Sequence, residues 1–260
     1  MNDTMHEWLN IIFRWGHLIA GVIWIGHLYF FNFVNAQVAK TFDADSKRKV
    51  VPELMPRALY WFRWGAAWTW ITGVLLLGII YYMGGNLLEP DSTMSVGAGT
   101  AIGLAVILLG FVVYDILWKT PLKANPLAGT IVSLAILAVV AWVLSCSFSG
   151  RAVFIHIGAL FGTSMAANVW MRIWPAQRKI IAAIRDGQAP DAALVGLAGM
   201  RSKHNTYMSV PLLFLMISNH YPTVYGGRHG WVYAIVMVIV GLLFTSWMYK
   251  KSAAASTAKY

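Results

Sequence analysis

The stretch RWGHLIAGVIWIGHLYF, residues 14–30, decides the fold: seventeen residues with one charge, two histidines and an otherwise apolar or aromatic run. A hydrocarbon core of about 30 Å is crossed by roughly 20 mostly apolar helical residues, so this stretch and its flanks read as a membrane span over residues 8–35. Its leader, MNDTMHE, carries acids rather than Lys or Arg and the apolar run is long, which reads as a retained span and not a cleaved signal. Working outward, apolar runs at 57–83, 97–118, 127–148, 151–174, 203–219 and 230–249 give six more. The expected fold class is an all-α integral membrane protein, one polytopic domain over residues 1–260 with a bundle of about seven transmembrane helices.

Composition agrees: 58% of the 260 residues are hydrophobic, 12% are charged and the mean hydropathy is +0.61. The net charge of +10 is concentrated in particular loops, which argues for membrane orientation and against nucleic acid as a partner. Lys40, Lys47, Arg48, Lys49 and Arg57 lie between the first two spans, Lys119 and Lys123 between the third and fourth, and Arg172, Arg178, Lys179, Arg185, Arg201 and Lys203 around the fifth loop. These place the N-terminus outside and the C-terminus in the cytoplasm, in a bacterial inner (cytoplasmic) membrane. The segment 175–202 holds AQRKIIAAIR and DAALVGLAGMRSK, which read as cytoplasmic amphipathic helices on the lipid surface or as a plain connector. A single cysteine, Cys146, excludes an internal disulfide, a thiolate metal cluster and CxxCH attachment of haem.

Ionisable side chains at membrane depth are costly and usually mark a site. His17 and His27 are ten residues apart, so on a helix they differ by about 15 Å in height and about 80° around the axis. In a bundle without thiols, such histidines suit haem b, one ligand per helix. His17 would pair with His156 in the outer half and His27 with His204 in the inner half, holding one haem or two. Gly16, Gly26, Gly158 and Gly162 beside these histidines would admit a flat ring, or serve ordinary helix contacts. Arg14 and Arg63 would neutralise haem propionates or snorkel to the surface. Without metal, the histidines would relay protons in a haem-free, proton-coupled transporter. Asp115, the one acid well inside a span, reads as an interfacial ion pair with Lys119.

The block RSKHNTYMSVPLLFLMISNHYP, residues 201–222, together with RWGHLIAGVIWIG, resembles the membrane domain of the bacterial membrane-bound urate oxidase family (PuuD type, urate hydroxylase). The resemblance implies a membrane oxidoreductase of purine degradation that oxidises urate and passes electrons to a cytochrome c. No CxxCH precedes Tyr260, so a separate cytochrome c or other redox subunit, or a quinone, is the expected acceptor. An alternative is an electron-transfer anchor subunit of another dehydrogenase or a larger respiratory complex. Asn219, His220 and Arg228 are candidate substrate groups: guanidinium and amide could hold planar urate by paired hydrogen bonds while imidazole accepts a proton.

Overall fold

The computed structural model describes residues 3–227 and 229–255. Eight long helices make up the chain: α1 Asp3–Tyr29, α2 Ala44–Leu77, α3 Val96–Leu117, α4 Pro126–Ser145, α5 Gly150–Asn168, α6 Trp174–Arg185, α7 Ala192–Ile217 and α8 Gly230–Ala255. Wider π-helical turns follow α1 (Phe30–Asn35), α2 (Gly78–Tyr82) and α5 (Val169–Ile173). No strand occurs among the described residues, only an isolated bridge between Leu88 and Phe148.

Helix starts follow from capping side chains that satisfy orphan N–H groups. Asp43 accepts from the Ser46 N–H at 2.7 Å, Ser95 from Ala98 at 3.2 Å, Asn125 from Ala128 at 3.1 Å, Ser149 from Ala152 at 3.2 Å and Asp191 from Ala193 at 2.7 Å. Gly187, at φ +71°, ends α6 in the left-handed conformation, where Gln188 N–H bonds back to the Ala183 carbonyl.

Six helical stretches are long and apolar enough to cross a membrane: Asp3–Val38, Ala44–Tyr82, Val96–Leu117, Pro126–Ser145, Gly150–Arg185 and Gly230–Ala255. The remaining expected span, 203–219, falls largely within α7. That helix has 26 residues but carries Arg201, Lys203, His204 and Asn205, which leave it more polar than the other six. Arg201 and Asn205 are wholly buried, so its polarity faces inward. Large apolar residues such as Trp15, Leu18, Val22 and Leu243 are about two-thirds exposed, as lipid-facing positions are. Lys119 bonds Asp115 at 2.6 Å, the ion pair expected from the spacing.

The chain divides into two compact units whose limits fall inside helices. The first comprises residues through Phe13, Gly73–Ser164 and Pro211–Gly241; its buried residues include Leu87, Leu144, Phe148, Phe154, His156 and Leu215. Within it, Gly241 lets α8 approach Pro211 in α7, since a Cβ there would lie 2.8 Å from the proline Cδ. The second comprises Arg14–Thr72, Met165–Val210 and Leu242 onward, with Trp24, Leu28, Phe62 and Ala66 among its buried residues. Here Gly65 meets the backbone of Trp24, a Cβ falling 3.0 Å from its nitrogen, which brings α2 tightly onto α1. The expected amphipathic segment forms α6 and the start of α7. Ala176, Ile180 and Ala198 are buried together, with Ile184 and Leu194 packed against them, so each of the two helices covers an apolar face of the other.

Candidate functional site

Two of the four expected ligand histidines have Nδ1 fixed on a backbone carbonyl. His27 Nδ1 lies 2.7 Å from the Ile23 carbonyl, and a carbonyl only accepts, so Nδ1 carries the proton and Nε2 keeps its lone pair. His156 repeats this one turn along its own helix, with Nδ1 2.8 Å from the Ala152 carbonyl. His17 is held through a neighbour: its Nδ1 lies 3.1 Å from the Thr72 hydroxyl, which in turn lies 2.6 Å from the Trp68 carbonyl and 3.2 Å from the Thr69 carbonyl. Each bond at Nδ1 orients its ring, as hydrogen bonds do behind metal-bound histidines.

Their surroundings differ. In the second unit, His27 borders a groove of about 410 Å³ lined also by Val22, Ile23, Gly26, Phe30, Leu54 and Ala58, and a Cβ on Gly26 would meet nothing within 4 Å. A larger groove of about 540 Å³ is framed by Gly16, Gly65, Trp61, Trp64, Trp68 and Thr72, the last being His17's hydrogen-bond partner. Both volumes fall in the range of small-molecule sites. His27 itself lines the first groove, whereas His17 meets the second through Thr72.

His156, in the first unit, is fully buried and closely packed. Its Nε2 lies 3.1 Å from the Tyr82 hydroxyl, and Phe148 stands edge-on with ring centroids 5.0 Å apart. A Cβ on Gly103 would lie 2.6 Å from the same Nε2. Gly158, expected to make room for a flat ring, instead seats Met216, Leu215 and Leu212 of α7; the glycine that accommodates this imidazole is Gly103 on α3. A tyrosine hydroxyl and a glycine from other helices carry no signal in the sequence near His156.

His204 is half-buried on α7, one turn beyond Arg201. It borders a polar core within the second unit. Asn168 donates to Asn205 at 2.9 Å, Asn205 to the Met165 carbonyl at 2.9 Å, Asn32 to Ser202 at 2.9 Å, and Tyr249 to Asn32 at 2.9 Å. Tyr29 and Ser209 share a further bond at 3.1 Å. Bonded networks of this kind fix the relative rotation of helices where apolar packing alone would not.

Arg14 is half-buried in α1. Arg63 is also half-buried, with its guanidinium carbon 4.1 Å from the Trp174 ring centre, 5.7 Å from Tyr60 and 5.8 Å from Trp170. Its buried Nε has no hydrogen-bond partner among the described residues. The three rings replace part of the water around the charge.

Of the candidate substrate groups, Arg228 lies outside the described residues. His220 is exposed and forms no hydrogen bond among the described residues. Asn219 is held instead by Tyr81 and Arg151, whose hydroxyl and Nε donate to its Oδ1 at 2.7 Å and 3.1 Å, while its Nδ2 donates to the Met216 carbonyl at 3.1 Å. Arg151 was visible in the sequence only as a loop cation opening the fifth span. No three His, Cys, Asp or Glu side chains among the described residues gather at one point to hold a metal ion.

The chain matches the family model described as "Urate oxidase N-terminal" over residues 3–49 and 39–260. No curated protein and no solved structure matches it.

Proposed function

Because this chain belongs to the urate oxidase N-terminal family, we propose that it is a haem b-containing membrane oxidoreductase that takes electrons from urate. The observation that supports this most directly is the shared state of His17, His27 and His156. Three imidazoles in candidate spans are each held through Nδ1, and at His156 the Nε2 lone pair already accepts from the Tyr82 hydroxyl.

His27 is the candidate ligand that lines a groove, and His17 is joined to the other groove through Thr72. Haem b bound there supplies one-electron transfer, two such steps accounting for the two electrons released on urate oxidation. The chain's own contribution is orientation: the carbonyls of Ile23 and Ala152 and the Thr72 hydroxyl hold the rings, and Trp and Gly residues line the groove beside Thr72. Arg63, in its aromatic seat, would meet a propionate without competition from a protein carboxylate. The acceptor in this reading is a separate cytochrome c or other redox subunit, or a membrane quinone. In this reading the N-terminus lies outside and the C-terminus in the cytoplasm of a bacterial inner membrane, the orientation being supported by the distribution of basic loops.

The test is a dithionite-reduced minus oxidised spectrum of detergent-purified protein from its native membrane, with a pyridine haemochrome count and urate then added as reductant. One or two haems per chain, reduced by urate, is the expected result. Intact protein without haem would overturn the haem reading, and haem that urate leaves oxidised would overturn the choice of substrate.

A further inference from the structure

We propose that Arg151, held by Asn219 and flanked by Tyr81, forms the binding site for the planar anionic substrate. The inference rests on the urate reading above and adds the residues that hold the molecule. All three lie in the same compact unit. Arg151 stands half-buried in the first turn of α5, Asn219 in the short 3₁₀ turn Ser218–His220 and Tyr81 in the π-helical turn Gly78–Tyr82.

The hydrogen bonds define what remains available. Asn219 has its amide orientation set by three partners at once: two donors on Oδ1 and one carbonyl acceptor for Nδ2. It therefore grips the Nε edge of Arg151 from behind. The guanidinium carbon lies 5.7 Å from the Tyr81 ring centre, which flanks it on one side. Of the five N–H donors of arginine, Nε is used, and neither Nη group bonds any described residue. What remains is the terminal fork, two parallel donors suited to two adjacent acceptor atoms in one plane.

The fork has no protein counter-ion among the described residues. Glu89, in the loop before α3, gives its carboxylate to the Gly150 N–H at 3.2 Å and makes no ion pair with Arg151. A half-buried guanidinium fixed in place without a protein anion offers its fork to an anionic ligand. Urate as a monoanion offers a planar edge of adjacent oxygen and nitrogen acceptors, whereas a spherical anion would use only part of the fork. Beyond Tyr81, His156 lies with its ring centroid 6.3 Å from the Tyr81 ring, so an anion at the fork would be separated from that imidazole by one aromatic side chain.

The experiment is urate binding to the full chain in detergent, wild type against Arg151→Gln and Arg151→Lys, with haem content read in the same samples. Charge-assisted hydrogen bonds predict weakening of about 10- to 100-fold in Arg151→Gln. Arg151→Lys keeps the charge but not the fork, so it should remain at least tenfold weaker than wild type while retaining the fold. Should the glutamine variant not fold, the lysine variant decides. Undiminished urate binding in either folded variant would overturn the proposal and leave the urate reading standing. Loss of haem with unchanged urate affinity would also overturn it, because the fork would then be serving a propionate. Wild-type protein that neither binds urate nor is reduced by it would remove both.

Discussion

Replacing Gly103 by alanine tests whether His156 is held as tightly as its surroundings imply. The added methyl would sit 2.6 Å from His156 Nε2, 3.0 Å from its Cδ2 and 3.0 Å from the Tyr82 hydroxyl. Ordinary contact distances are about 3.5 Å, so the ring or α3 must retreat by about 0.9 Å. Retreat is opposed on the other sides, where Nδ1 is tied to the Ala152 carbonyl and Phe148 and Tyr81 abut the ring. Overpacking of this kind costs about 1–3 kcal/mol, and disruption of the Tyr82 bond adds about 1 kcal/mol. The expected total of about 2–4 kcal/mol is readable as a lowered midpoint in thermal or detergent-induced unfolding followed by tryptophan fluorescence. A double-mutant cycle with Tyr82→Phe should show coupling, since both changes act on one nitrogen. Unfolding of Gly103→Ala within about 0.5 kcal/mol of wild type, with strict additivity, would refute the packing argument.

Other consequences can be checked separately. Gly65→Ala should loosen α2 from α1, because the clash is with the backbone of Trp24 and not with a flexible side chain; about 1–3 kcal/mol of lost stability is expected in the same unfolding assay. Asn205→Ala leaves the buried Met165 carbonyl and the Asn168 amide without the bonds Asn205 made, and should cost about 2–4 kcal/mol, whereas an unchanged midpoint would show that water enters the gap. The Asp43 carboxyl is held below its ordinary value, chiefly by the Ser46 backbone N–H and then by the Ser46 hydroxyl. A depressed folded value means the cap contributes fully above the unfolded carboxyl value of 3.8 and is lost as pH falls through the lower folded one. Amide exchange in the first turn of α2 should accelerate in that acid range in wild type and stay flat with pH in Asp43→Ala, after correction for intrinsic exchange. His17→Ala and His27→Ala should each lower haem per chain in a haemochrome assay, and full retention in both would sever these residues from cofactor binding.

The spans were legible because lipid demands long apolar runs, and six of them appear as helices of sufficient length and apolarity. The extensions beyond those runs were not. α2 begins at Ala44 and carries Pro52 and Pro56 through its first turns, where proline usually suggests a break. The polar face of α7 was read as a family block around His204, yet the residues that bury it, Asn168 and Asn32, come from far along the chain. The histidines themselves were legible as expensive residues in lipid. Their anchoring was half legible: Ile23 and Ala152 lie four residues before His27 and His156 on the same helix, a local relation. Thr72, Tyr82 and Gly103 lie 55, 74 and 53 residues from the histidines they touch, and nothing in periodicity pairs them. The bond between Asn219 and Arg151 was hidden for the same reason, the two lying 68 residues apart.

The wide turn at Gly78–Tyr82 has a consequence for how one imidazole is shared. In an ordinary α-helix consecutive side chains diverge by about 100°, so neighbours seldom serve the same partner. Here Tyr81 and Tyr82 both reach His156, with ring centroids 6.3 Å and 5.8 Å from it, while their hydroxyls part company: one goes to Asn219, the other to the histidine nitrogen. The slackened helix acts as a splitter, sending one tyrosine toward the anion fork and its neighbour toward the buried base. Deleting one residue from that turn would restore regular winding, and the two tyrosines could then no longer face the same ring.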